Sequence, residues 1–177
     1  SDEFKKKGGK EEVIQLWLNL PSRLKMIDPK YIGLQEDKIT HLEVNDKVKL
    51  HLVSGKYGNS TGPVDSLTGL LTSTIDIKEE GVFSDSIEEN RTILLYVING
   101  KVSVNGTNLE EHQLLEFDEN GTDMEIKALK QSQLIYCHGE PFKEPIVAQG
   151  PFVMNTQEEI YEAFNDYQSG KLGSTNI

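Results

Sequence analysis

The chain has 177 residues, 36% of them apolar, and a net charge of −11 from 18 Lys and Arg against 29 Asp and Glu. That length suits one domain with a short appendage and is enough to bury a core. The acidic balance argues against direct nucleic-acid binding, no run reaches the roughly 20 apolar residues of a membrane helix, and a single cysteine rules out an internal disulfide.

The amino terminus is charged, with Lys5, Lys6 and Lys7 running into Gly8 and Gly9 rather than into an apolar core. It lacks a secretory pattern, so an intracellular location is expected, cytoplasmic or, in a eukaryote, nuclear. Residues 1–12 read as a tail or a severed linker, because the first residue is Ser1 and not Met. Residues 13–154 read as a barrel, and 155–177 as a terminal helix and tail.

The first strand-like run is Ile14-Gln15-Leu16-Trp17-Leu18-Asn19-Leu20, stopped by Pro21. Its alternation sets Gln15, Trp17 and Asn19 on one face and the leucines on the other, which makes Trp17 a candidate anchor for a partner. After a polar, proline-bearing connection, strands are predicted at Thr40 to Val44, Lys47 to Val53, Gly69 to Ile77 and Thr92 to Ile98. Others follow at Lys101 to Val104, Gln113 to Phe117, Met124 to Leu129 and Gln133 to His138.

Turns are marked by Asn45-Asp46, Glu80-Gly81, Asn99-Gly100, Asn105-Gly106 and Asn120-Gly121. Asn99-Gly100 is the strongest hairpin signal, since a type I′ turn needs positive φ at both central positions. Short strands with turns between them argue for an antiparallel sandwich or barrel. Cys137 lies in an apolar strand and reads as a buried small hydrophobe.

Only one helix is expected. Thr156-Gln157-Glu158-Glu159 forms a capping box, after which Ile160, Ala163, Phe164 and Tyr167 share one face until Gly170. That stripe needs a surface to cover, so Ile160, Phe164 and Tyr167 join Trp17 as the candidate interaction surface.

No catalytic residue stands out. His41, His51, His112 and His138 lack metal-ligand spacing, although His41 and His51 can face one another across the Asn45-Asp46 turn. The loop Gly55 to Pro63 lacks the phosphate-binding order and leads into a strand rather than a helix. Asp85, Glu88 and Glu89 read as a solvated acidic surface.

Several segments resemble the pirin family of the cupin class. They are Gln15-Leu16-Trp17-Leu18-Asn19-Leu20-Pro21, Lys25-Met26, Pro29-Lys30-Tyr31 and Gly62-Pro63-Val64, then the run from Glu144 through Gly150-Pro151-Phe152-Val153-Met154-Asn155-Thr156. The resemblance implies an all-β, double-stranded β-helix barrel or sandwich with one C-terminal α-helix, matching the second of the family's two tandem barrels. It also implies that the family's iron, held by three histidines and a glutamate, belongs to a first barrel not represented here.

The general cupin metal pattern can be laid on this chain between Gly81 and Gly100. Its ligand positions then fall on Ile87, Glu89 and Ile93, and a second pattern anchored on Gly106 places its histidine at Phe117; three of the four are hydrocarbon, which cannot hold a transition metal, and one carboxylate makes no site. The expectation is therefore no metal and no other cofactor in this chain. A structural or protein-interaction module is expected, of the regulatory, coregulator type that the resemblance implies. Its partner would be the first barrel, a second copy in a homodimer, or a regulatory protein, with neither nucleic acid nor membrane bound. The alternative is a non-catalytic part of a quercetin 2,3-dioxygenase whose chemistry lies elsewhere.

Overall fold

The computed structural model describes residues 6–9, 12–118 and 120–173. The described residues form two compact units, one of Asp28–Lys143 and one combining residues up to Ile27 with those from Glu144 onward.

In the first unit, β1 (Thr40–Asn45), β2 (Val48–Ser54), β5 (Leu71–Ile77), β12 (Ser132–Gly139), β7 (Thr92–Asn99) and β10 (Leu114–Glu116) form a six-stranded sheet in that spatial order. A four-stranded sheet follows the order β6 (Val82–Ser86), β11 (Asp123–Ala128), β8 (Lys101–Val104) and β9 (Thr107–Glu110). The two-residue strands β3 (Lys56–Tyr57) and β4 (Ser60–Thr61) make a small hairpin beside them. All pairings between strands are antiparallel.

Alternation explains the arrangement. In β2 and β5 every second side chain is buried, which places Val48, Leu50, Leu52, Ile75 and Ile77 on one inner face. Phe83, Val102, Val104, Met124 and Ile126 supply the opposing face from the other sheet, and together they form one core. This is the expected all-β sandwich.

The turn signals divide into two kinds. Asn105 and Gly106 have φ of 45° and 87°, as a type I′ turn requires, and they join the paired strands β8 and β9. Asn99-Gly100 is not the predicted hairpin. β7 and β8 lie in different sheets, and Asn99 pairs with Gln133 instead. Only Gly100 of that pair has a positive φ, 92°, and it turns the chain from one sheet into the other. Glu80-Gly81 and Asn120-Gly121 are also followed by a change of sheet.

Cys137 is buried, and burial pushes its thiol up to about 11. Thiolate at neutral pH is correspondingly scarce. Ellman's reagent is expected to label native protein at least about 100-fold more slowly than urea-unfolded protein. Equal labelling rates would contradict this burial.

In the second unit, β13 (Val147–Gln149) and β14 (Phe152–Met154) form a hairpin against α2 (Gln157–Gln168), and a single turn, α1 (Ser22–Lys25), follows Pro21. Residues 144–154, placed in the barrel by the sequence reading, thus group with the terminal helix. The Thr156 hydroxyl accepts from the Glu159 amide at 3.2 Å, and the Glu159 carboxylate accepts from the Thr156 amide at 3.0 Å, completing the capping box. At the other end Gly170, with φ 77°, lets the Lys171 amide reach the Asp166 carbonyl at 3.0 Å.

The expected strand at Ile14 to Leu20 does not form. Residues 12–20 join no sheet among the described residues, and all but Leu20 are exposed. Alternating apolar residues make a strand only where a neighbouring edge supplies the hydrogen bonds, and these residues pair with no strand among the described residues.

Candidate functional site

The four positions laid on the cupin metal pattern lie in the Asp28–Lys143 unit. Ile87 is buried in the core, Ile93 and Phe117 pack partly buried against it, and Glu89 is exposed. Ile87, Ile93 and Phe117 also line a cavity of about 430 Å³ together with Met124. Alkyl and phenyl groups offer no lone pair to a metal, and among the described residues no three His, Cys, Asp or Glu side chains converge. The residues at this place do not fit iron.

A second cavity, about 780 Å³, has a different character. Two polar pairs stand at its edge. The Tyr136 hydroxyl donates to Asp85 Oδ2 at 2.7 Å, from a ring wholly buried against Phe83 and His138. Arg91 Nε donates to His138 Nδ1 at 2.7 Å, while Nη2 donates to the carbonyl of Gly69 at 2.9 Å.

Local sequence explains the placement. Leu134, Tyr136 and His138 alternate along β12 and so share one face, with the tyrosine turned inward and the histidine at the rim. Asp85 reaches Tyr136 from β6. The small hairpin β3–β4 holds Tyr57 stacked against Phe83, with ring centroids 6.0 Å apart. Gly62 is required there because a Cβ would strike the backbone of Val53 and Ser54 at 2.6 Å.

Burial and the Asp85 carboxylate hold the Tyr136 phenol protonated far above its ordinary range, and the same two causes raise Tyr57. Burial and then the Arg91 guanidinium hold His138 below its ordinary value of 6.5, with Asp85 and Glu88 pulling weakly the other way. A guanidinium can only donate, so His138 Nδ1 accepts and the ring proton sits on Nε2.

The unfolded chain binds the His138 proton more readily, so the stabilisation is complete above about pH 6.5 and declines as pH falls toward the depressed folded value. Thermal melts of native protein and His138→Gln from about pH 8 to about pH 5 check this. The difference between them is expected to shrink on acidification, and a difference that grows would contradict it.

His41 and His51 face one another as register partners, with Nδ1 atoms 2.5 Å apart. Their outer nitrogens are also engaged, with the Glu36 carbonyl at 3.0 Å and Asp76 Oδ2 at 2.9 Å.

The candidate interaction residues, all in the other unit, do not form one open surface. Trp17 and Tyr167 are each 66% exposed, but Ile160 is fully buried and is therefore packing, not surface. Phe164 is half-buried edge-on against Phe152, at 5.0 Å between ring centroids. The stripe on α2 is largely spent on its own hairpin. Sequence reading missed Asp85, Arg91, Tyr136 and His138 as a group, since Asp85 comes from β6, Arg91 from the loop before β7, and only Tyr136 and His138 share a strand. The two-residue spacing of Tyr136 and His138 was the one local signal.

Two antiparallel sheets over one core, with the chain passing repeatedly from one to the other, define a cupin-type barrel. The chain belongs to the pirin family: residues 73–173 match the model of the Pirin C-terminal cupin domain. A Pseudomonas aeruginosa protein provisionally named a quercetin 2,3-dioxygenase is 32% identical over 97% of this chain, which spans 60% of that protein's length. Rat pirin is 33% identical over 90% of the chain, which spans 56% of it. The crystal structure of quercetin 2,3-dioxygenase from Acinetobacter baumannii superposes with a TM-score of 0.84 at 31% identity, covering 89% of this chain and 56% of that one.

Proposed function

We propose that this chain is a metal-free cupin module that acts by docking a protein partner, in a structural or regulatory, coregulator-type role within an intracellular pirin-type protein. The observation that carries this reading is the segment at residues 13–18. Val13 is 78% exposed, Trp17 66% and Leu18 50%, in a backbone that pairs with no strand among the described residues. A stretch of alternating apolar and polar residues that is exposed and paired with no strand among the described residues is suited to completing another sheet.

The partner in this reading is another cupin barrel, either a preceding one in a longer parent chain or a second copy. Curated relatives longer than this chain support the first source. Likeness to proteins named as quercetin 2,3-dioxygenases supports a second reading for a longer parent, with iron in a first barrel and this chain non-catalytic.

Sedimentation of the chain over a concentration series tests the docking role. Self-association is expected, and Trp17→Ala is expected to weaken it by about 30-fold or more, as for a buried tryptophan anchor. A monomer at every concentration, or a dimer indifferent to Trp17, would remove the second-copy form. Stoichiometric iron with quercetin turnover by this chain alone would overturn the metal-free reading.

A further inference from the structure

We infer that His41 and His51 form a site for one divalent transition ion of the imidazole-preferring kind, such as zinc, on the outer face of the six-stranded sheet. The two residues are register partners on β1 and β2. They point away from the core, since Leu50 and Leu52 on either side of His51 are buried. The site therefore leaves the barrel interior metal-free, and it is independent of the docking role, which rests on residues 13–18.

The outer ring nitrogens fix the state of the inner ones. His41 Nε2 lies 3.0 Å from the Glu36 carbonyl oxygen, and His51 Nε2 lies 2.9 Å from Asp76 Oδ2. Carbonyl and carboxylate oxygens only accept, so each ring holds a proton on Nε2 and donates it. Asp76 is itself anchored, because its Oδ1 accepts from Gln133 Nε2 at 2.9 Å. Both Nδ1 atoms then carry lone pairs, and these face one another across 2.5 Å. Two lone pairs repel at that separation. The arrangement calls for a cation between them, a proton or a metal ion.

The surroundings favour the metal ion. An imidazole whose second nitrogen donates to a carboxylate or a backbone carbonyl is oriented as a ligand and made more basic. His41 is exposed on the edge strand of the sheet, so an ion can enter and water can complete its coordination. Lys49, the neighbouring cation on this face, is already paired with Glu43 at 2.7 Å, in a chain of net charge −11. Two nitrogens bound to one tetrahedral ion stand about 3.3 Å apart, so binding parts the rings by about 1 Å. The exposed His41 ring can make that movement. Nitrogen donors exclude magnesium and calcium, which take oxygen. Spacing along the chain could not reveal the pair, because its ligands meet across two strands.

Titration of the untagged, isotope-labelled whole chain with zinc chloride, followed by NMR, tests this. Saturable shifts at a 1:1 ratio are expected at the His41 and His51 rings, while those of His112 and His138 stay unmoved. Magnesium chloride is expected to shift neither ring of the pair. His41→Ala and His51→Ala are each expected to weaken zinc binding about tenfold or more. Asp76→Ala is expected to weaken it about tenfold by removing the acceptor that orients His51. Each variant is read only with a native amide spectrum, and His41, exposed at the sheet edge, is the one least tied to folding. Silence of both rings at about 1 mM zinc would leave a shared proton between them and overturn the site. Binding unchanged by His41→Ala, or shifts centred on Ile93 and Phe117 instead, would overturn it as well.

Discussion

Replacing Tyr136 with alanine is expected to lower the unfolding free energy by about 3–5 kcal/mol, the cost of deleting a buried aromatic ring. The side chain is wholly buried at the centre of the six-stranded sheet, where β12 pairs with both β5 and β7. Its ring meets Phe83 edge-on, with centroids 5.7 Å apart, and alanine leaves a cavity that two paired sheets cannot close. Tyr136→Phe separates packing from polarity. It keeps the ring but removes the 2.7 Å donor to Asp85, at an expected cost of about 1–3 kcal/mol. Urea titration of the three proteins reads both effects. A phenylalanine variant as unstable as the alanine variant would mean that the hydroxyl, and not the ring, carries the effect.

Gly100→Ala is expected to cost about 2–4 kcal/mol, while Gly106→Ala costs only about 1 kcal/mol. Both glycines have positive φ, 92° and 87°, and both follow an asparagine. Their surroundings differ. A Cβ at Gly106 meets nothing within 4 Å, whereas one at Gly100 lodges against Ser132 Oγ and the Gln131 carbonyl, and lies 2.7 Å from Ser132 Cα. Ser132 is itself engaged there, accepting from the Lys101 amide at 2.9 Å and donating to the Lys130 carbonyl at 2.8 Å. It therefore cannot step aside without breaking the corner between the sheets. Paired thermal melts check the order, and equal losses would mean that backbone conformation alone sets the cost.

These two glycines show where local reading stops. The dipeptide Asn-Gly was visible at both places, and in both the glycine adopts the conformation that the turn chemistry allows. Whether such a turn closes a hairpin or passes the chain between sheets depends on which strand takes the next hydrogen bonds. For Asn99 that strand is β12, more than thirty residues away. The run containing Trp17 fails for the same reason: its alternation is that of a strand, but no edge is presented to it among the described residues. The helix at Gln157–Gln168 was legible almost to the residue, because its capping box and its terminal glycine act within one turn of the chain.

Composition and alternation by themselves determined the all-β class, most of the strands, the capped terminal helix and the hydrocarbon at Ile87, Ile93 and Phe117, since burial and turn chemistry act over a few residues. Only the tertiary structure decided that Ile160 is packing, that Asp85 meets Tyr136, and that Arg91 sets the proton on His138. Each of those depends on side chains far apart in the sequence being brought within hydrogen-bonding or van der Waals reach, and no local pattern encodes that distance.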